Sequence, residues 1–378
     1  MTKPILAFCA DLQARESAYR AVKELKNDDL YAMSQVVDYC NRNWHRGEPL
    51  SLIMGGDQVD TPTISDEHTV ELRRVLRGVP CSRSYYVDGN HERGFKRLCL
   101  EGGDAAVSQS MEGQVFDIAG FRVAGYNWRT RRQWEAFLES NSLVEADILV
   151  LHGFASQVVP ALGLPPDEAP LCDMDLEWFD GKYKLVLMGD IHMEWDWRGP
   201  KGTRFLYSGS MWMHRLGEPE AKSFIVVHDD LSIERVPLKC RPFLRTEVRL
   251  KQDAERIQTW LDSCTELPYI SEMRQFMGEL LPRIHLTVPS DMAAETQAIL
   301  AEVKKRAFVF EKIDTSHDRD LTEVKGSLSE KVDLDTALVQ LLDVKDTDDR
   351  EAVEFVKQAM ELGFDTAINN LKQKAGIA

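Results

Sequence analysis

The chain has 378 residues, which exceeds one ordinary domain and predicts two or three compact units. An apolar fraction of 43% is sufficient for buried cores, and no stretch approaches the length of a membrane span. The net charge of −16 excludes binding of nucleic acid through the whole surface, because an acidic protein gains little from counterion release. Seven cysteines without metal-type CxxC spacing indicate free thiols in a reducing compartment, and with the absence of a secretory pattern they predict a cytoplasmic protein.

The first ~240 residues alternate strand-like runs with helical patterns, as α/β proteins do. Helices are predicted in DDLYAMSQVVDYCNRNWHR and in EHTVELRRVLRG, where apolar residues recur at helical spacing. Turns at Ala119-Gly120 and Asp229-Asp230 indicate two hairpins, and therefore mixed strand pairing. Two stacked sheets flanked by helices fit this pattern better than one doubly wound sheet.

A domain boundary is predicted near residues 239–243. Beyond it, FLRTEVRL, RIHLTVP and AFVFEKID are strand-like, and DAERIQTWLDSC and SDMAAETQAILAEVKKR are helical, the second with Ser290 as its N-cap. This order predicts a small α/β domain over residues 241–320, after a first domain over residues 1–240. Residues 321–378 contain amphipathic patterns that cannot bury their apolar faces alone, so we expect this helical tail to pack on the body or on a partner.

Five apolar runs in the first domain each end at a polar cluster. The runs ILAFCA, LSLIM, SRSYYVD, ADILVL and YKLVLM have the composition of buried strands. The clusters that follow them occupy positions 11–13, 56–60, 89–92, 152 and 189–192. Because open α/β sheets carry their chemistry at the carboxyl ends of the strands, we expect these side chains to converge.

The clusters contain seven side chains of the types that bind divalent metals: Asp11, Gln13, Asp57, Asn90, His152, Asp190 and His192. Hard oxygen donors mixed with imidazoles suit two adjacent divalent ions, a common device for cleaving phosphate esters. Asp57 is the predicted bridging carboxylate, since one carboxylate usually joins such a pair of ions. No single cluster is specific for a metal site, whereas five clusters in this order strongly indicate one.

In this order the clusters resemble the calcineurin-like metallophosphoesterases, whose pattern is D-x-H, GD-x-x-D/H, GNH-D/E, a single H and GH-x-H. The match covers about residues 4 to 240. The resemblance implies a two-layered β-sandwich flanked by helices, with a small α/β capping domain, a C-terminal helical tail and a centre of two divalent ions. The domain order, with the segment SGSMWMHRLGEPEAKSFIVV, resembles SbcD-type nuclease subunits of double-strand-break repair, including phage-encoded ones.

The resemblance also implies roles for the residues. The ligands divide between two ions that share Asp57: Asp11, Gln13 and His192 on one, and Asn90, His152 and Asp190 on the other. His91 is expected to orient or protonate phosphate oxygens, and Asp60 is the second predicted catalytic residue. Gln13 and Asp190 stand where the family usually has histidine, and because both bind through oxygen they favour Mn²⁺, or else Mg²⁺, over Zn²⁺.

Other residues near the clusters have two interpretations. Four arginines are candidate phosphate-binding groups, with ordinary solvated charge as an equal alternative: Arg93, Arg129, Arg131 and Arg132. Glu92 is interpreted as a helix-start carboxylate that interacts with the helix dipole, with metal binding or orientation of His91 as the alternative. The segment MWMH at residues 211–214 is expected to pack in the core, rather than to act as a substrate wedge or a dimer contact.

The leading prediction is a metal-dependent DNA exonuclease and endonuclease subunit that hydrolyses phosphodiester bonds together with an SbcC-type coiled-coil ATPase, which would bind the C-terminal helices. A homodimer is a further predicted assembly, and a bacterial or phage-infected cell is the predicted setting. Two alternatives stay open. One is a phosphatase or small-molecule phosphodiesterase of the same fold, which Asp60 matches because phosphatases carry aspartate there. The other is a degenerate scaffold that no longer holds two metals.

Overall fold

The computed structural model describes residues 2–314, except for 16–25, 46, 61–63, 93–106, 142, 164–171, 215–220, 279–281 and 290–293. The predicted helical tail at 321–378 and the predicted N-cap Ser290 therefore lie outside the described residues. Residues up to Asp314 belong to one compact unit. The predicted domain limits at residues 240 and 320 stay predictions.

The chain forms short strands and six α-helices within the described range. The strands are β1 (Pro4–Cys9), β2 (Trp44–His45), β3 (Glu48–Pro49), β4 (Ser51–Gly55), β5 (Ser84–Val87), β6 (Gln109–Ser110), β7 (Val115–Ile118), β8 (Phe121–Tyr126), β9 (Ile148–His152), β10 (Leu185–Gly189), β11 (Trp195–Arg198), β12 (Arg204–Tyr207), β13 (Lys222–His228), β14 (Ile233–Leu238), β15 (Phe243–Glu247), β16 (Arg283–Pro289) and β17 (Phe308–Asp314). The helices are α1 (Asp28–Arg42), α2 (Asp66–Leu76), α3 (Arg131–Ser140), α4 (Lys251–Thr265), α5 (Ile270–Met277) and α6 (Ala294–Arg306).

Two six-stranded sheets make up the body of the fold, in the orders β14-β13-β1-β4-β5-β6 and β11-β12-β10-β9-β8-β7. In the first sheet β1, β4 and β5 are parallel, and in the second β8, β9, β10 and β12 are parallel. The hairpins predicted at residues 119–120 and 229–230 are confirmed as the antiparallel pairs β7–β8 and β13–β14. The carboxyl ends of the parallel strands therefore meet at one edge of each sheet.

The core is divided by these sheets into layers. Ile53 of β4 and Val150 of β9 pack in the apolar layer between the sheets, whereas the next residue, Met54, faces the helical side with α1 and α2. This alternation follows from the two-residue repeat of a strand. Trp134 of α3 is fully buried against the outer face of the second sheet, with Leu149 of β9. The predicted two-layered β-sandwich flanked by helices is confirmed.

The small α/β region after the sandwich is a parallel sheet in the order β15-β16-β17, covered by α4 and α6. Its β-α-β-α-β order is confirmed, with α5 as an additional short helix. Met273 of α5 packs against Tyr31 of α1, so this helix joins the region to the sandwich. A buried ion pair strengthens the junction, because Arg241 donates through Nε and Nη2 to the two carboxylate oxygens of Asp28 at 2.9 and 2.7 Å.

Two further features concern the helices and the cysteines of the described residues. None of their helices is both long and apolar enough to cross a membrane. Six of the seven cysteines are described, and all six are free thiols.

Candidate metal centre

The loops that follow β1 and β4 continue side by side beyond the ends of the strands. The backbone N–H of Asp11 donates to the carbonyl of Gly56 at 3.1 Å, and that of Gln13 donates to the carbonyl of Asp57 at 2.7 Å. The first two sequence clusters are therefore held together by main-chain bonds. Their side chains meet because the two parent strands are parallel neighbours.

The backbone at the predicted ligands is unusual. Asp11, Gln13, Asp57 and Asp190 have φ angles of 52°, 42°, 52° and 103°, in a region that side-chain-bearing residues rarely adopt. Only three other non-glycine residues in the described part of the chain share this property. Such conformations cost about 1–3 kcal/mol each and collect at functional sites, where the surrounding structure enforces them.

Asp11, Asp57 and His152 form a buried triad in which one ligand atom from each residue lies within 4.8 Å of the others. The Nε2 atom of His152 is 3.4 Å from Oδ1 of Asp57 and 3.6 Å from Oδ1 of Asp190. The backbone N–H of Asp190 donates to both carboxylate oxygens of Asp11, at 3.0 Å each. The polar residues at the ends of β9 and β10, in the second sheet, therefore contact those that follow the strands of the first sheet.

The two amide side chains among the predicted ligands also face Asp57. Gln13 donates through Nε2 to Oδ2 of Asp57 at 3.4 Å. The side-chain amide of Asn90 also lies against the Asp57 carboxylate. In one orientation its oxygen faces the two Asp57 oxygens, and in the reversed orientation its nitrogen would donate to both of them at 3.0 Å. Carboxylate and amide oxygens together with imidazole nitrogens are the atoms that bind divalent ions in proteins. The donor set therefore fits a divalent cation.

The electrostatics of the cluster lead to the same conclusion. Burial raises the pKa of Asp11 to about 7, an effect that His152 and His192 partly oppose and Asp57 reinforces. Burial would also raise the pKa of Asp57, but the charge and hydrogen bond of His152, together with His91, outweigh it and lower that pKa to about 2. Because burial strongly disfavours the ionised form of Asp11, a positive ion bound beside it would stabilise that form.

The predicted catalytic pair, His91 and Asp60, lies beside the triad. His91 donates through Nδ1 to the main-chain carbonyl of Asp60 at 2.6 Å, which turns Nε2 to within 3.7 Å of Oδ2 of Asp57. The side chain of His91 is 29% exposed, so it reaches both the cluster and the solvent. This arrangement suits a group that contacts a bound substrate.

Glu92 bonds to backbone groups of two loops, and the residues after it, where the predicted helix would begin, lie outside the described range. Its buried side chain accepts backbone N–H bonds from Asp57, Val59 and Gly89, at 2.9, 3.1 and 2.6 Å. It thereby ties the loop after β4 to the loop after β5. Burial and the nearby charge of Asp57 raise the pKa of Glu92 to about 8. A glutamate directly after Asn90-His91 is visible in the sequence, but these backbone partners are not.

The segment at residues 211–214 is confirmed as part of the core, since Met211, Trp212 and His214 are all buried. Trp212 donates through Nε1 to the carbonyl of Leu12 at 2.6 Å, and His214 donates through Nε2 to the carbonyl of Asp11 at 3.1 Å. The segment therefore holds the loop after β1 in place. The ring of His192 lies beside that of His214, with centroids 5.1 Å apart.

The arginines predicted to bind substrate are placed differently from one another. Arg93 lies outside the described residues, and Arg132 is exposed on α3. Arg131 pairs with a glutamate one turn further along that helix. Arg129 forms an ion pair with Glu112, and its guanidinium packs among three aromatic rings. The contacts of Arg129 are those of a packed structural residue.

Comparisons with known proteins identify the family of this chain through one family model. The family model for calcineurin-like phosphoesterases matches residues 5–208. No curated protein sequence matches the chain. A solved structure of a dimetal phosphatase from Danio rerio is 12% identical, with a TM-score of 0.35, over 63% of this chain and 100% of that one. Because the family model matches more than half of the chain, this protein belongs to the calcineurin-like phosphoesterase family.

Proposed function

We propose that this phosphoesterase is a DNA nuclease subunit that hydrolyses phosphodiester bonds with divalent metal ions, Mn²⁺ by preference. Family membership and the buried triad support metal-dependent phosphoester hydrolysis. The observation that carries the proposal is the convergence of Asp11, Asp57 and His152, which come from three strands and two sheets. The DNA substrate is supported by the small α/β region that follows the sandwich, as in the nuclease subunits that the sequence resembles.

The proposed centre holds two ions that share Asp57. The remaining ligands follow the division given by the resemblance: Asp11, Gln13 and His192 for one ion, and Asn90, His152 and Asp190 for the other. When bound, such ions lower the pKa of water and neutralise charge on the reacting phosphate. Oxygen donors outnumber imidazoles in this set, which favours Mn²⁺ or Mg²⁺.

His91 is the residue of the chain that acts on the substrate itself in this proposal. The Asp60 carbonyl accepts the Nδ1 proton, which leaves Nε2 turned towards the substrate, and His91 passes a proton from Nε2 to the leaving oxygen when both ring nitrogens are protonated. Asp60 positions that ring through its main chain. Glu92 keeps the loops of Asp57 and Asn90 in register, so that ligands and proton donor act on the same phosphate.

The function is tested with three substrates: a labelled duplex oligonucleotide, bis(p-nitrophenyl) phosphate as a diester with one phosphate, and p-nitrophenyl phosphate as a monoester. We expect Mn²⁺-dependent cleavage of the oligonucleotide and the diester that chelation abolishes and that His91→Gln lowers by about 10²–10⁴-fold. His228→Gln is a matched control, since His228 pairs with Glu234 at the far end of β13. Cleavage of the monoester alone would favour the phosphatase alternative. Fewer than one Mn²⁺ bound per chain would favour the scaffold.

The partners form a separate part of the proposal. An SbcC-type coiled-coil ATPase is proposed to bind residues 321–378, and a homodimer and a cytoplasmic location in a bacterial or phage-infected cell stay predictions. Co-purification with such an ATPase, compared between the full chain and a chain ending at Asp320, tests the docking segment. A complex that survives the truncation would contradict it.

A further inference from the structure

Arg15 is a charged residue beside the metal centre that the sequence analysis did not single out. The loops after β1 and β4 pair as far as Ala14, whose carbonyl accepts the backbone N–H of Asp60 at 3.1 Å. Arg15 is therefore placed next to Asp60, and its Nη1 lies 3.4 Å from Oδ2 of that carboxylate. Its backbone N–H donates to Oδ2 of Asp29 at 3.2 Å, which anchors the residue at its main chain.

The guanidinium of Arg15 is held from a second side by the segment at residues 211–214. Nη2 donates to the main-chain carbonyl of His214 at 3.2 Å, and the guanidinium carbon lies 4.9 Å from the ring centre of Trp212. Both partners are buried and are themselves bonded to the loop after β1. The side chain of Arg15 is nevertheless 20% exposed. It thus presents a cation in a fixed orientation, with little rotamer entropy left to lose on binding an anion.

Asp60 connects this cation to the proposed proton donor. Its carboxylate faces Arg15, and its main-chain carbonyl accepts the Nδ1 proton of His91. In this chain of contacts His91 faces Asp57 directly, whereas Arg15 is separated from Asp57 by one more residue. With a phosphate bound at the proposed metal ligands, a group at that place would lie beside this phosphate.

We propose that Arg15 binds the phosphate next to the scissile one, so that the centre prefers a nucleic-acid strand to a substrate with a single phosphate. The inference rests on the proposed function, because it assigns the neighbouring subsite of the same centre. The guanidinium is the group that matches phosphate oxygens through charge-assisted hydrogen bonds. Contacts of this kind position the strand without reading its sequence.

The test compares wild type with Arg15→Gln and Arg15→Lys on a labelled single-stranded oligonucleotide and on bis(p-nitrophenyl) phosphate, both with Mn²⁺. We expect Arg15→Gln to raise the KM for the oligonucleotide at least about 10-fold while kcat/KM for the single-phosphate diester changes less than about 2-fold. Arg15→Lys keeps the positive charge, so its KM for the oligonucleotide should rise less than that of Arg15→Gln. Arg42→Gln, an exposed arginine on α1, is the control and should change neither value. Equal losses of activity on both substrates, or no loss of activity on either, would overturn the proposal.

A binding measurement separates this inference from the nuclease function. With Ca²⁺ as a metal expected to support binding, fluorescence anisotropy of the oligonucleotide should show at least about 10-fold weaker binding by Arg15→Gln, with the slope of log affinity against log salt reduced by about 0.7. Equal affinity and slope would overturn the role of Arg15. Weaker binding by the variant in a protein that cleaves neither substrate would retain the role of Arg15 and refute the nuclease.

Discussion

His152 and Gly55 are joined by a hydrogen bond between the imidazole Nδ1 and the main-chain carbonyl oxygen, at 2.7 Å. Because a carbonyl can only accept, Nδ1 carries a proton, and Nε2 is the nitrogen turned towards Asp57. Gly55 ends β4 in the first sheet, and His152 ends β9 in the second. One bond therefore joins the two sheets and orients a proposed ligand, as the hydrogen-bond partners of metal-binding histidines commonly do.

Asp57→Asn should weaken Mn²⁺ binding more than any other single change in the cluster. The proposed bridging position needs a negative charge, which an amide of the same shape does not supply. We expect at least about 100-fold weaker Mn²⁺ binding by isothermal titration calorimetry, since even the loss of a residue that only hydrogen-bonds to a ligand costs about 10–100-fold in metal affinity. Asp196→Asn is the control, because Asp196 pairs with Arg204 on an edge strand. Unchanged Mn²⁺ affinity in Asp57→Asn would refute the shared-ligand assignment.

Gly56→Ala should be far more damaging than Gly202→Ala. Both glycines have positive φ, 96° and 103°, so both substitutions carry a similar backbone cost, about 1–2 kcal/mol. A Cβ at Gly56 would lie 2.2 Å from Nδ1 of His152, whereas one at Gly202 would have no neighbour within 4 Å.

Urea denaturation should therefore show a larger loss of unfolding free energy for Gly56→Ala, and calorimetry should show weaker Mn²⁺ binding for that variant alone. Equal losses of stability in the two alanine variants would mean that the contact between Gly56 and His152 is not close.

Glu92→Gln should loosen the centre without removing any proposed ligand. The carboxylate accepts three backbone N–H bonds, and an amide has only one oxygen with which to accept them. We expect a loss of about 1–3 kcal/mol in unfolding free energy and about 10–100-fold weaker Mn²⁺ binding. Glu272→Gln, which alters a surface pair with Lys239, should stay within about 0.5 kcal/mol of wild type. Wild-type Mn²⁺ affinity in Glu92→Gln would contradict the positioning role.

His285 should make the protein less stable in acid. Burial, with the charges of Arg283 and Arg245, lowers the pKa of His285 to about 4, and its Nε2 accepts a hydrogen bond from Nε of Arg283 at 3.0 Å. The unfolded chain takes up this proton near pH 6.5 and the folded chain only near pH 4. The unfolded state therefore binds more protons between these values, and stability falls as the pH falls, by at most about 1.4 kcal/mol per pH unit.

The measurement is urea unfolding at several pH values between 7 and 4.5 for wild type and His285→Gln. Contributions from other groups are common to both proteins and cancel in the difference. The curve of the variant should be flatter over this range. Parallel curves would show that His285 titrates normally in the folded chain.

Much of the site could be predicted because its signals are local. A buried strand ending in Asp11, Asp57 or His152 is a pattern of consecutive residues, and the ends of parallel neighbours necessarily share an edge. The helices α1 and α2 were predicted from apolar spacing. Helices α3 and α5 were not, since α3 buries fully only Trp134 and α5 has eight residues. Short segments with few buried positions carry little periodic signal.

The sequence by itself determined the strand ends, the donor types and the family, because strand periodicity and the chemistry of a side chain are properties of neighbouring residues. Only the tertiary structure decided that Gly55 orients His152, that Glu92 bonds to the backbone of the Asp57 loop, and that Arg15 lies against Asp60. Those relationships are hydrogen bonds and ion pairs between residues far apart in the chain. Such contacts form only when the sheets pack, and the residues that packing brings together show no periodic pattern in the sequence.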